Sequence, residues 1–156
     1  TLDGTLFPYT TLFRSTKRID LVAELRDVPP ISADQDRLGQ VVDNLVGNAI
    51  KFSPTGSTIW LRLEHDRQSV QFEVLDQGPG LTVADLQLLF REFQKLSAQP
   101  TGGEKSTGLG LAIVKRIVEA HQGSLEAMNG PSGGALFRCR FPIPAPPGET
   151  PDSTAA

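Results

Sequence analysis

The stretch that most constrains this chain is Asn44-Leu45-Val46-Gly47-Asn48-Ala49-Ile50-Lys51-Phe52. It closes a longer segment whose apolar positions are Leu38, Val41, Val42, Leu45, Val46, Ala49 and Ile50. That i, i+3, i+4, i+7 spacing predicts an amphipathic helix. At roughly 100° per residue, Arg37, Gln40, Asn44, Asn48 and Lys51 fall on a narrow polar stripe bordering the apolar face. A solvated stripe favours Glu and Lys, whereas two asparagines one turn apart cost helix stability. A neutral amide oxygen beside a cleft ligates a hard cation without adding charge, and a lysine on the same stripe meets phosphate. The plain alternative is two solvated asparagines, and this segment alone leaves it open.

The chain has 156 residues, 38% of them hydrophobic, enough for one globular domain with a core. A net charge of −3 with mixed signs gives no basic footprint for nucleic acid. No apolar run approaches the roughly 20 residues of a membrane span, and no signal peptide is visible. Cys139 is the single cysteine, which excludes an internal disulfide and a cysteine-based zinc site. These features predict a cytoplasmic domain that is not membrane-embedded. Thr5 to Ser15 reads as the in-frame translation of a sequencing-adapter oligonucleotide, so residues 1–15 are expected to be an artefact without structure, replacing natural sequence before residue 16. Residues 143–156, rich in Pro, Ser, Thr and Gly, are expected to form a disordered tail or linker.

Between these ends the pattern predicts a strand over Arg18–Leu25, possible at a sheet edge, and a helix N-capped by Asp34 and running to Phe52. Pro54-Thr55-Gly56 breaks that helix. Thr58–His65 and Ser69–Leu75 alternate as a hairpin across Asp66-Arg67-Gln68. A short helix over Val83–Phe93 follows, then a polar loop over Ser97–Ser106 with no periodicity. A helix over Thr107–His121 stops at Gly123, and strands Ser124–Met128 and Ala135–Phe141 close the domain. The order is α+β, a two-layer sandwich of a mixed sheet with about three helices on one face.

Two further clusters carry chemistry. Period-2 parity with Val70, Phe72 and Val74 puts Asp76 of Asp76-Gln77-Gly78-Pro79-Gly80 on the buried strand face. A carboxylate there needs donors. An adenine amine is one such donor, with Gly78 and Gly80 admitting a flat base; an Asp-initiated turn bonding its own backbone is the other reading. Ser106-Thr107-Gly108-Leu109-Gly110-Leu111 opens a helix, where glycines free backbone N–H groups to face an anion. A glycine hinge without ligand is the alternative. A Rossmann G-x-G-x-x-G would require glycine where Val83 or Ile113 stands, and a Walker A loop would require it at Gln99 and Glu104.

In order and spacing these clusters resemble the N, G1, F and G2 boxes of sensor histidine kinase catalytic domains, in the superfamily with gyrase-type and chaperone ATPases (the Bergerat ATP-binding fold). The resemblance runs from about Ile19 to Pro142: Asn44–Lys51, Asp76–Gly80, Phe90-x-x-Phe93 and Gly108–Lys115, with His121-Gln122-Gly123 closing the last helix. It implies ATP and Mg²⁺ as ligands. Asn48 would ligate the metal through its amide oxygen, Asn44 would support phosphates and metal, and Lys51 would contact phosphate. Asp76 would accept from adenine, while Gly108 and Gly110, flanked by Thr107 and Leu109, would meet the phosphates. Phe90 and Phe93 would anchor residues 94–106 as an ATP lid, or pack in the core, or both; Lys105 is a lid contact.

The gyrase-like members of the superfamily resemble one another in carrying a glutamate four residues before the metal asparagine. Here Asn44 stands there and cannot act as a general base. The resemblance therefore implies a kinase that transfers the γ-phosphoryl group to a histidine on a dimerisation and phosphoacceptor domain missing from this sequence. A response-regulator receiver domain would take it onward, and the parent would be a homodimer. A serine-directed kinase of the anti-sigma-factor type and a non-enzymatic nucleotide sensor are the alternatives. His65 reads as a solvated hairpin residue, His121 as a partly positive group at a helix C-terminus, and Cys139 as core. Trp60 opposes Ile59, Leu61 and Leu63 and covers an edge or meets a partner.

Overall fold

The computed structural model describes residues 17–89 and 110–145. Alternating apolar residues build a five-stranded sheet in the order β1 (Asp20–Leu25), β2 (Thr58–His65), β3 (Ser69–Leu75), β5 (Ala135–Pro142), β4 (Ser124–Asn129). The sheet is mixed, because β1 runs parallel to β2 while the other pairs are antiparallel. The first strand begins at Asp20 rather than Arg18, since Arg18 sits in the left-handed region at φ 54° and breaks the extended run. Its place at the sheet edge is as expected.

Register fixes which side chains share a face. Ala23, Leu61, Val74, Phe137 and Ala127 form one inward row, and Leu25, Leu63, Phe72, Cys139 and Leu125 the next. Helices α1 (Gln35–Phe52) and α3 (Gly110–Ala120) cover this face with Val41, Leu45, Val46, Ile50, Val114, Ile117 and Val118. The outward face repeats the logic in polar form. Glu24, Arg62, Glu73, Arg138 and Glu126 lie side by side across all five strands with alternating sign. Glu73 is buried between Arg62 at 3.3 Å and Arg138 at 2.6 Å. The neighbouring row, Val22, Trp60, Leu75, Leu136 and Met128, is apolar, so Trp60 is a half-buried member of a cross-sheet stripe.

Both ends of α1 are tied. Asp34 Oδ1 accepts the Arg37 N–H at 3.1 Å, the expected N-cap. At the other end the buried Lys17 ammonium donates to the Ile50 and Lys51 carbonyls at 2.8 and 2.9 Å. These are carbonyls a helix leaves without an internal partner. Helix α2 (Val83–Leu88) starts in a capping box between Thr82 and Asp85. It is shorter than the predicted Val83–Phe93: Leu89 turns out of the helix at ψ 137° and keeps its side chain in the core. The remainder of that prediction lies outside the described residues, as do Thr107–Leu109 of the predicted third helix.

Helix α3 closes through Gln122 in the left-handed conformation (φ 57°), with the Gly123 N–H on the Val118 carbonyl at 2.9 Å. His121, just past the helix, departs from the expected dipole-facing cation. Its Nε2 accepts the Asp34 N–H at 3.0 Å and its Nδ1 lies 2.8 Å from the Ile117 carbonyl. A donor facing Nε2 requires a lone pair there, so the partners assign the neutral Nδ1–H tautomer. The imidazole is a bridge from the end of α3 to the start of α1. Beyond β5 the Ile143 N–H bonds the Gln68 carbonyl at 2.8 Å, carrying order past the expected boundary at 142.

Candidate functional site

The polar stripe of α1, the turn after β3 and the start of β5 meet at one end of the sheet. Asn48 and Phe52 form one wall of an open recess; Asp76, Pro79, Gly80, Leu81, Ala135 and Phe137 form the rest. Asp76 continues the inward parity of β3, and its backbone pairs with the Ala135 carbonyl at 3.0 Å. Asp76 as a whole is 5% exposed. Oδ1 accepts two backbone N–H groups, Gly78 at 2.9 Å and Ala135 at 3.0 Å. The Gly78 bond is the Asp-initiated turn, so both readings of this residue describe the same side chain. Oδ2 has no donor among the described residues. Burial raises the Asp76 pKa above the ordinary 3.8, with the Ala135 and Gly78 bonds pulling the other way.

The two glycines after Asp76 also make close contacts within the protein. A Cβ at Gly78 would stand 2.8 Å from the Phe52 carbonyl, so Gly78 lets this turn close onto the end of α1. Gly80 has φ +78°, and a Cβ there would meet Asn129 Oδ1 at 2.6 Å. Both are committed to packing protein on protein around the recess.

Asn44 lies one turn before Asn48 and points toward the start of α3: a Cβ at Gly110 would be 3.9 Å from Asn44 Oδ1. Asn44 Nδ2 is buried with no hydrogen-bond partner among the described residues. An orphaned donor of this kind costs about 1–3 kcal/mol unless a ligand acceptor reaches it. Lys51 is half-buried at the end of the stripe. The structure thus brings together Asn48, Asp76, Gly78 and Gly80, with Asn44 beside Gly110 one turn away and Lys51 one turn beyond Asn48 on the same helix. Phe90, Phe93, Lys105, Thr107, Gly108 and Leu109 lie outside the described residues.

The donor set fits a nucleotide with a metal on its phosphates. Among the described residues no cluster of three His, Cys, Asp or Glu side chains is placed to hold a metal. A neutral amide such as Asn48 suits a cation whose other ligands are phosphate oxygens and water. Sequence reasoning overlooked the β4–β5 connection. Ala135 and, through Leu81, Asn129 shape the recess, and the glycine density of Asn129-Gly130-Pro131-Ser132-Gly133-Gly134 was the one available signal.

Comparison with known proteins agrees with this arrangement. Residues 33–145 match the family described as histidine kinase-, DNA gyrase B-, and HSP90-like ATPase. The sensor protein KdpD of Clostridium acetobutylicum is 42% identical over 116 residues, 74% of this chain but 13% of that protein's length. The mycobacterial sensor histidine kinase MprB superposes with a TM-score of 0.74 at 27% identity, over 88% of this chain and 93% of that one. Full-length ShkA, solved with AMPPNP, matches at TM-score 0.71 and 29% identity, over 90% of this chain and 30% of its own. Among the described residues no helix is long and apolar enough to cross a membrane. The chain belongs to the histidine kinase-, DNA gyrase B- and HSP90-like ATPase family, as an ATP-binding catalytic domain of the sensor histidine kinase type.

Proposed function

We propose that this domain binds ATP with Mg²⁺ in the recess and presents the γ-phosphoryl group to a histidine on a separate phosphoacceptor domain, for relay to a response-regulator aspartate. The observation that carries the reading is the pairing of a buried carboxylate, one oxygen of which has no donor among the described residues, with an asparagine stripe on the facing helix. In this reading Asp76 Oδ2 accepts from the adenine amine and orients the base. Asn44 Nδ2 and Lys51 hold phosphate oxygens, and the backbone N–H of Gly110 faces the same phosphates at the start of α3. Asn48 Oδ1 would hold Mg²⁺ on the triphosphate, and the metal would supply charge neutralisation there. The roles that the resemblance implies for Phe90, Phe93, Lys105, Thr107 and Leu109 fall outside the described residues.

Position 44 favours transfer over hydrolysis. A carboxylate there would deprotonate water, which an amide cannot do at neutral pH. Catalysis then rests on positioning the triphosphate and stabilising its charge. The parent would be a homodimeric kinase working in the cytoplasm. Incubating the domain with γ-labelled ATP, Mg²⁺ and an isolated acceptor-helix domain tests this. Acid-labile label on histidine is expected; acid-stable label on serine, or nucleotide binding with no transfer, would overturn it.

A further inference from the structure

Asn129 ends β4 and belongs to none of the motifs that carry the family resemblance. Its carboxamide meets the peptide group of Leu81 twice. Oδ1 accepts the Leu81 N–H at 2.7 Å, and Nδ2 donates to the Leu81 carbonyl at 2.9 Å. This is the pattern of two paired peptides, made here by a side chain 48 residues away in sequence. A carboxamide is suited to it, because it offers one acceptor and one donor side by side. Leu81 lies between the ends of β3 and α2, in a segment with no ladder to hold it. It lines the recess together with Gly80 and Asp76. Gly80 packs so closely that a Cβ would stand 2.6 Å from the same Asn129 oxygen. The turn, the amide and the recess wall are in direct contact.

We propose that Asn129 is a positioning residue of the nucleotide pocket, holding the Gly80–Leu81 wall at the spacing from Asp76 that an adenine ring fills. The inference rests on the nucleotide reading of the recess. Asn129 touches no ligand itself; it acts through the Leu81 backbone. Loss of the clamp lets the wall move, which weakens contacts to the base and leaves those to the phosphates unchanged.

The test is calorimetric titration of the 156-residue chain with ATP plus Mg²⁺, ADP and adenosine. The proteins compared are wild type, Asn129→Ala, Asn129→Asp and Asp76→Asn, each with its Tm recorded. Asn129→Asp keeps the size and the acceptor but sets a second acceptor against the Leu81 carbonyl. Both Asn129 variants should lose about three- to tenfold in affinity for ATP and adenosine alike, with the ATP-to-ADP ratio and the one-to-one stoichiometry of wild type. As pH falls the introduced carboxyl gains a proton and can donate again, so Asn129→Asp should recover relative to wild type at the same pH. A purely structural role would lower Tm and the fraction of chains that bind, with Kd unchanged, and would overturn the proposal. Wild-type Kd in both Asn129 variants, with Asp76→Asn weakened, overturns it as well. Full ATP affinity in Asp76→Asn would instead remove the nucleotide reading, and this inference with it.

Discussion

One oxygen of the Asp76 carboxylate is committed to the backbone of Gly78 and Ala135, and burial raises the pKa of the group. A raised native pKa means that the native state binds more protons than the unfolded one in the window above 3.8. The contribution of Asp76 to stability is therefore present below that value and is lost as pH rises through the native pKa. Asp76→Asn removes the charge and keeps the Oδ1 acceptor. Its Tm without nucleotide should equal or exceed that of wild type at pH 7, and the difference should close as pH is lowered through the same window. Its affinity for ATP should fall by about tenfold or more, because an amide set toward the base repels the amine that the carboxylate accepts. Parallel melting curves from pH 3.5 to pH 8 and a nucleotide titration check both signs. Asn44 carries the same logic: its Nδ2 is buried without a partner among the described residues, a cost that a phosphate acceptor would relieve under the proposed reading.

At the scale of elements, α1 is the part most exposed to substitution at a distance from the site. Lys17 holds the last-turn carbonyls of the helix that carries Asn44, Asn48 and Lys51. Lys17→Met keeps the apolar stem and deletes both bonds; unfolding in urea should show a loss of about 2 kcal/mol. This contact was not legible in the sequence, since Lys17 adjoins β1 and reads as a surface charge. The helix itself was legible, because apolar periodicity over many turns and an Asp cap all pointed one way. The strands were legible to within a residue or two for the same reason. What escaped were features set by tertiary partners: the left-handed Arg18, the neutral bridge at His121, and the Asn129 clamp. The resemblance located Asp76, and parity placed it on the buried face. The Ala135 N–H on its carboxylate, which comes from 59 residues away, followed from neither.

For the whole molecule, the sheet is covered on one side by helices and closed on the other by a charge ladder. Glu73 joins the two halves of that ladder, accepting from Arg62 and Arg138. Glu73→Ala leaves both guanidiniums without their shared partner and should cost about 1–3 kcal/mol in urea unfolding. Cys139 lies on the opposite face of the neighbouring strand, fully buried, with its thiol pushed up to about 12 by burial. The thiolate is the reactive form, so the folded protein should resist alkylation at pH 8. Labelling should proceed only when the sheet opens, at a rate that follows global stability through the Lys17 and Glu73 variants. Fast labelling of the native protein would show that the sheet opens locally.

The central claim is that Asn48 and Asp76 belong to a single nucleotide site. A crystal structure of this chain with AMPPNP and Mg²⁺ tests it most directly. The account predicts the adenine amine about 2.7–3.2 Å from Asp76 Oδ2 and the metal about 2.0–2.1 Å from Asn48 Oδ1. A base bound away from Asp76, or a metal that takes no ligand from Asn48, would contradict it.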